Sequence, residues 1–269
     1  MTDQMPTPPT RRWTVAAIAG AAVGTLGGMI GLGGAEFRLP LLIGVFGFIA
    51  LQAVIMNKAL SLLVVATALP ARLLGVPLAQ ITPHWPIIVN LLAGSLIGAY
   101  LGATWATKMA SRTLYRVLAG MLVLIAVVLV ATHLGGTTPQ PHLTGAAQTI
   151  VGVLAGVGIG IVAAIMGVAG GELLIPTIVL LYGIDIKIAG SLSLAVSLPT
   201  MLVAFARYSR DNSFSVLAHN KTFLIAMAVG SVLGTIAGGA LLGVVPTPIL
   251  IPILAIILIL SARKVWTHT

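Results

Sequence analysis

Long stretches of this chain carry no formal charge, as from Val117 to Leu134 and again from Pro248 to Ser261. An α-helix rises about 1.5 Å per residue, so roughly 20 apolar residues cross the ~30 Å hydrocarbon layer of a bilayer. Reading along the apolar pattern predicts helical segments over 13–30, 37–50, 53–73, 84–107 and 114–134, then 148–166, 173–186, 188–208, 220–243 and 248–262. Two of them, 37–50 and 173–186, hold only about 14 residues. They either span with help or re-enter as hairpins with the segment before them. The prediction is an all-α polytopic membrane protein of six to ten membrane segments, the number depending on whether the short ones span or re-enter.

The two groups of five segments are copies of one pattern. Gly31-Leu-Gly-Gly-Ala-Glu-Phe-Arg-Leu-Pro40 recurs 136 positions later as Gly167-Val-Ala-Gly-Gly-Glu-Leu-Leu-Ile-Pro176. The register holds without a gap at Gly20/Gly156, Gly24/Gly160, Gly47/Gly183, Ser61/Ser197, Gly94/Gly230 and Gly98/Gly234. A duplicated half, each with an interrupted hydrophobic segment, is a sequence signature of secondary transporters.

Composition sharpens the class. Hydrophobic residues make up 58% of the 269 and charged residues 7%, with a mean hydropathy of +1.12; a soluble domain with that surface would aggregate. β-barrel strands alternate in short segments, so the long apolar runs exclude a barrel. A net charge of +9 would suggest nucleic acid in a soluble protein. Here the basic residues sit at the ends of apolar segments, which points to topology and to no nucleic-acid partner.

The clusters Arg11/Arg12, Lys108/Arg112/Arg116, Arg207/Arg210 and Arg263/Lys264 fall in the cytoplasm by the positive-inside tendency. The neutral stretches 135–145 and 244–248 then fall outside, with Arg72 an exception. An odd number of crossings per half turns the second half over, giving two inverted-topology repeats with Gly-broken or re-entrant helices. The predicted division is a cytoplasmic N-terminal tail 1–12, a first membrane repeat 13–134, an extracytoplasmic linker 135–147, a second repeat 148–264 and a cytoplasmic C-terminal tail 265–269. Arg11/Arg12 followed by an apolar run imitates a secretory signal. Because that run has a counterpart in the second half, it is expected to stay uncleaved.

Candidate chemistry centres on the breaks. Gly33, Gly34, Gly170 and Gly171 can take positive φ and let backbone amides approach a ligand, while Pro40 and Pro176 suit the first turn of a new helix. Each motif therefore reads as one half-helix ending and another starting near Glu36 or Glu172, its positive end facing an anion. Close helix packing is the competing role of such glycines.

Glu36 and Glu172 are two of only five acidic residues, and a carboxylate at membrane depth is a functional candidate. As a helix cap it would occupy the free amides, and protonation would release them to an anionic cargo; proton coupling through Glu36 and Glu172 follows from that picture. Arg38, matched by Leu174, is either an anion contact or an internal partner of Glu36. Asn57 and Ser61 share a helix face, as do their counterparts Ser193 and Ser197; they either complete a ligand shell or join helices. Lys58 and Arg207 read first as interfacial or topological cations, with substrate contact the second reading.

The five histidines, at 84, 133, 142, 219 and 268, read as loop residues without metal-ligand spacing, and with no cysteine no metal is expected. No Walker sequence or nucleophile-base arrangement is present, so no catalytic residue, no cofactor and no ATP is expected. Trp13, Trp85 and Trp266 suit an interfacial belt.

The paired motifs Gly-x-Gly-Gly-x-Glu-x-x-x-Pro and Gly-x-x-Gly-Gly-Glu-x-x-x-Pro, each followed by an Asn/Ser-bearing segment, resemble the sulfite exporter TauE/SafE family, also grouped as toluene-sulfonate uptake permeases. The likeness covers nearly the whole chain. It implies a multi-pass protein of the bacterial inner membrane, with about eight helices, that moves sulfite, sulfonates, sulfoacetate or related sulfur anions. Ala169 and Ala35 interrupt the glycine runs of that family.

Together these readings give a secondary transporter, not an enzyme, its substrate a small sulfur-containing anion, working by alternating access around the two breaks, with export expected over uptake and protons as coupling ion. An anion channel, or a permease for another small organic anion, is the alternative. Its partners would be that anion, protons and the lipid bilayer, and its oligomeric state monomer or homodimer.

Overall fold

The computed structural model describes residues 12–30, 34–75, 77–134, 143–240 and 247–267. Among them all regular structure is helical. In the first half the order is α1 (Arg12–Ile30), α2 (Ala35–Gly44), α3 (Ala50–Gly75), the short α4 (Leu78–Ile81), α5 (Trp85–Lys108) and α6 (Ser111–Leu134). The second half runs α7 (Gly145–Met166), α8 (Gly171–Tyr182), α9 (Ile186–Tyr208), the short α10 (Ser215–His219), α11 (Lys221–Ala240) and α12 (Thr247–Trp266). Among the described residues six helices are long and apolar enough to cross a bilayer. This is an all-helical, multi-pass membrane protein.

The outer faces are apolar. Ile18, Leu154, Leu233 and Ile236 are all more than 60% exposed, as suits side chains that meet lipid. In such a solvent helices gain little from burying apolar area, so close backbone approach carries the packing. That is where many of the described glycines go. α5 lies along α7 and α1 along α11. A Cβ on Gly94 or Gly98 of α5 would enter the backbone of Val153 or Val157, and one on Gly230 or Gly234 of α11 the backbone of Ala17 or Ala21. Close packing explains these four, and the packing alternative weighed for the break glycines is met in part as well: a Cβ on Gly34 would enter the Val23 carbonyl.

α2 and α8 are 10 and 12 residues long, about 15 and 18 Å, half of a bilayer core. The predicted segments 37–50 and 173–186 end early, because Gly47 at φ 74° and Gly183 at φ 68° turn the chain where an ordinary residue would be strained. Asp185 then caps α9 by accepting from the Lys187 amide at 2.8 Å. Just after α2, Phe46 and Phe48 meet Phe223 edge to face, with ring centroids 4.8 and 5.4 Å apart.

The ends of the helices carry most of the charge. Arg207 donates to the Thr104 hydroxyl at 2.8 Å, and the Arg116 guanidinium lies 5.8 Å over the Trp266 ring. Trp13, Trp85 and Trp266 are each more than half exposed at helix ends, as an interfacial position requires. The loop reading of the histidines is corrected for three of them: His84 sits in a single 3-10 turn, His219 ends α10 and His133 belongs to the last turn of α6. His142 and His268 lie outside the described residues, as do Arg11 and most of the predicted linker.

Candidate functional site

Helix α7 stops at Gly167, whose φ is 70°. The Gly167 amide donates to the Ala164 carbonyl at 3.1 Å and the Val168 amide to the Ala163 carbonyl at 3.0 Å, the double closure of a helix that ends on a left-handed residue. Glycine reaches that φ without strain, and any Cβ here would run into the Val54 carbonyl of α3.

A helix end leaves carbonyls without amide partners, and inside a membrane no bulk water supplies them. Helix α3 does so. Asn57 Nδ2 donates to the Met166 carbonyl at 3.1 Å, Ser61 Oγ to Gly167 at 3.2 Å, and Lys58 Nζ to Ala163 at 2.8 Å and Val168 at 2.7 Å. The Tyr208 hydroxyl of α9 adds a bond to Ala164 at 3.0 Å.

New helices start on the far side of the break. Gly34 at φ 69° and Gly170 at φ 85° precede α2 and α8. The Phe37 and Arg38 amides bond back to the Gly34 carbonyl, and the Leu173 and Leu174 amides to that of Gly170. The amides of Ala35, Glu36, Gly171 and Glu172 thus stand ahead of the first helical bond, at the positive ends of two helix dipoles. Gly171 itself is the first residue of α8 and needs no positive φ. Gly33 lies outside the described residues.

The proline expectation changes here. Because the left-handed glycines start the helices at Ala35 and Gly171, Pro40 and Pro176 fall inside them, in the second turn. There each proline withholds the amide that the carbonyl four residues earlier would accept, that of Glu36 or Glu172. Both breaks keep a loosened backbone at the acidic residue.

Glu36 and Glu172 project from the two helix starts into the same space, each turned toward the amide of its own residue and each facing the other's carboxyl group. Both are buried. Glu36 Oε2 and both carboxyl oxygens of Glu172 have no hydrogen-bond donor. Two cations stand beside them: Arg38 acts on Glu36 and Lys58 on Glu172. Arg38 Nη1 is 3.5 Å from Ser61 Oγ. Arg38 and Lys58 are as fully enclosed as the hydrophobic core, at 0% and 1% exposure.

Of the residues expected at the site, Gly34, Glu36, Arg38, Asn57, Ser61, Gly170, Gly171 and Glu172 come together around the two helix starts. Ser193 turns away, donating to the Gly190 carbonyl of its own helix at 2.9 Å. Ser197 Oγ is buried without a partner. Asn57 does more than share a face with Ser61: its amide also donates to the Ala35 carbonyl at 3.0 Å, so one side chain joins both breaks.

Lys58 corrects the interfacial reading. It sits about two turns into α3 and is buried against carbonyls at the end of α7. Its depth within an uncharged run was the sequence signal that separates it from a boundary cation, whereas Arg207, one residue from the end of α9, is half-exposed and follows the boundary pattern. Among the described residues no group of three or more His, Cys, Asp or Glu stands close enough to hold a metal.

No curated protein and no solved structure matches the chain significantly. The family model for the sulfite exporter TauE/SafE matches residues 16–265, nearly the whole of its length. The break motifs, the carboxylate pair and the helices that carry them all fall inside that match, and the chain belongs to the sulfite exporter TauE/SafE family.

Proposed function

We propose that this protein is a secondary transporter that moves a small sulfur-containing anion, such as sulfite or a short sulfonate, across the bacterial inner membrane together with a proton. Family membership supports the substrate class. One observation carries the coupling: the four ionisable residues enclosed at the breaks are two acids and two bases, Glu36, Glu172, Arg38 and Lys58.

Fully ionised, that quartet has no net charge. An anion arriving among these residues would leave one negative charge in a medium that penalises it by several kcal/mol. A proton on Glu36 or Glu172 restores neutrality. It also turns a carboxylate that competes for the free helix amides into a group that can donate, which opens the amides of Ala35, Glu36, Gly171 and Glu172 to the sulfur oxyanion. Arg38 adds a cation beside the first helix start.

Alternating access follows if the two halves are inverted repeats. The 136-residue register, the matching helix order, and the exchange in which α1 lies on α11 and α5 on α7 support that reading. An odd number of crossings in each half then places both termini in the cytoplasm. The basic clusters at the ends of α5, α9 and α12 agree with that orientation. Export is the direction we assign, driven by the anion's own outward gradient against the inward proton gradient, with the cytoplasmic basic rim gathering anions.

The test is uptake of labelled sulfite and sulfoacetate into proteoliposomes under imposed pH gradients. Saturable transport driven by an inward proton gradient is expected, lost or uncoupled in Glu36→Gln and Glu172→Gln. No transport of any sulfur anion by the wild-type chain would overturn the substrate reading, and linear, unsaturable flux would favour a channel.

A further inference from the structure

The carbonyls at the end of α7 are satisfied in two different ways. Three of them are met by neutral donors: Met166 by Asn57 Nδ2, Gly167 by Ser61 Oγ and Ala164 by the Tyr208 hydroxyl. Two more, Ala163 and Val168, share one atom, Lys58 Nζ, at 2.8 and 2.7 Å. The charged group that acts on that nitrogen is Glu172 of α8, whose carboxyl oxygens both lack a hydrogen-bond donor. All four residues are buried.

Set apart from the lysine, this is an oxygen-lined space that calls for positive charge. The carbonyls belong to the negative end of the α7 dipole, and Glu172 brings a carboxylate. Unwound carbonyls and the carboxyl ends of half-helices are where inverted-repeat transporters coordinate sodium. Neutral donors suffice for the neighbouring carbonyls, so hydrogen bonding alone does not call for a lysine here. Charge is supplied at the one point where the carboxylate faces the carbonyls.

We propose that the second break contains a cation site occupied by the chain itself: the Lys58 ammonium fills the place of an inorganic monovalent cation, so the protein works without sodium and acquires a sodium requirement when that side chain is cut back to alanine. An ammonium is a compact point charge with three donors and no acceptor. Being tethered to α3, it stays at the site whatever ions are in solution. The inference deepens the proposed function, leaving the proton as the only coupling cation, and rests on that reading for the cargo used in the transport assay.

Lys58→Ala leaves two carbonyls and a carboxylate in an enclosed space without a counter-charge. A proton on Glu172 or a cation from solution can relieve it. The groups that bear on this choice are Glu172 from α8 and, facing it, Glu36 with its neighbour Arg38 from α2. Alkaline pH favours the cation over the proton, and rescue by sodium is expected to weaken as the pH falls.

The test uses the full-length protein. Its apparent melting temperature in detergent is read at alkaline pH and one ionic strength in sodium, lithium, potassium, ammonium and choline chloride, and sulfite uptake into proteoliposomes is measured in sodium and in choline media. The wild type is expected to melt and transport alike in all of them. Lys58→Ala should melt lower and transport slowly in choline. Sodium or ammonium should raise its melting temperature by about 3 to 5 °C, the shift for a ligand near tenfold its dissociation constant on a chain of this size, and sodium should raise its uptake severalfold. Lys58→Met, whose long apolar side chain fills the same space, should be destabilised and indifferent to sodium. A lysine that only supported folding would give no such selectivity among cations.

Sodium stimulation of the wild type, a Lys58→Ala protein that responds to no cation, or an equal sodium response in Lys58→Met would each overturn the proposal. If Lys58→Ala is lost during purification in choline, recovery of folded protein in sodium supports the proposal and loss in every cation overturns it. Failure of the wild type to transport sulfite removes the cargo reading alone, because the melting comparison needs no transport.

Discussion

Asn57 offers the sharpest test of how the breaks are joined. Its amide donates to Ala35 at 3.0 Å and to Met166 at 3.1 Å, and the residue is fully enclosed, so no solvent can replace it. Interhelical hydrogen bonds inside membranes contribute about 0.6 kcal/mol on average and up to about 1.7. Both bonds are fully buried and one of them serves the Met166 carbonyl at the carboxyl end of α7, which places the pair toward the upper figure. Asn57→Ala should therefore cost about 2 to 3 kcal/mol.

Asn57→Asp keeps the shape and reverses the chemistry. A carboxylate would face two carbonyl oxygens beside Glu36, and the loss should exceed that of the alanine variant. The measurement is the apparent melting temperature by tryptophan fluorescence at one scan rate, since unfolding from detergent is read as a rate, together with initial rates of sulfite uptake. The expected order is wild type, Asn57→Ala, Asn57→Asp in both. Melting and transport of Asn57→Asp equal to the wild type would mean that the tie between the breaks is dispensable, and the reasoning from its two bonds would be wrong.

Other outcomes follow from the same geometry. A cycle that moves one proton with each monoanion carries no net charge, so uptake of a monoanionic sulfonate should be insensitive to a potassium-valinomycin potential; a clear voltage dependence would refute one-to-one coupling. Glu36→Gln should flatten the pH dependence of uptake, and an unchanged profile would remove Glu36 as a proton carrier. Gly102→Ala puts a Cβ at 2.7 Å from the Ile161 carbonyl, inside the ~3.5 Å of an optimal contact, and should lower stability by about 1 to 3 kcal/mol. Gly158→Ala, where a Cβ meets nothing within 4 Å, should be neutral or stabilising by up to about 1 kcal/mol in the same melting assay.

The helices and the breaks were legible in the sequence because both depend on local chemistry. Apolar length marks the spans, and a left-handed residue inside a membrane helix calls for glycine, which is why Gly34 and Gly170 could be named. The prolines were misplaced by one turn because the start of a helix depends on which glycine takes the positive φ. Nothing local separates Gly33 from Gly34 or Gly170 from Gly171. Lys58 was misjudged for a different reason: its partners are carbonyls about 105 to 110 positions away in sequence, and backbone acceptors leave no mark on residue identity. Ser193 and Ser197 were grouped with Asn57 and Ser61 by register alone, although a hydroxyl can satisfy itself on its own helix and the amide of Asn57 reaches across.

The way donors are used also constrains how an anion can be held. In the enclosed space the side-chain N–H groups of Asn57 and two of the three on Lys58 are committed to carbonyls, while carboxyl oxygens of Glu36 and Glu172 and the Asn57 Oδ1 lack donors. Apart from the Arg38 guanidinium, acceptors are thus in surplus over side-chain donors. An oxyanion entering such a space is met by the Arg38 guanidinium and by the backbone amides at the starts of α2 and α8, and it has to displace carboxylates that now face those amides. Recognition by amides reads charge and oxygen geometry and ignores most of the organic body, which predicts broad tolerance among sulfur oxyanions of one charge. Competition by the monoanions methanesulfonate and ethanesulfonate and by taurine against one labelled substrate measures it. Comparable inhibition by the anionic pair and weak inhibition by zwitterionic taurine is the expected pattern, whereas selection by body size at equal charge would require contacts to the organic body that neither the amides nor the Arg38 guanidinium make.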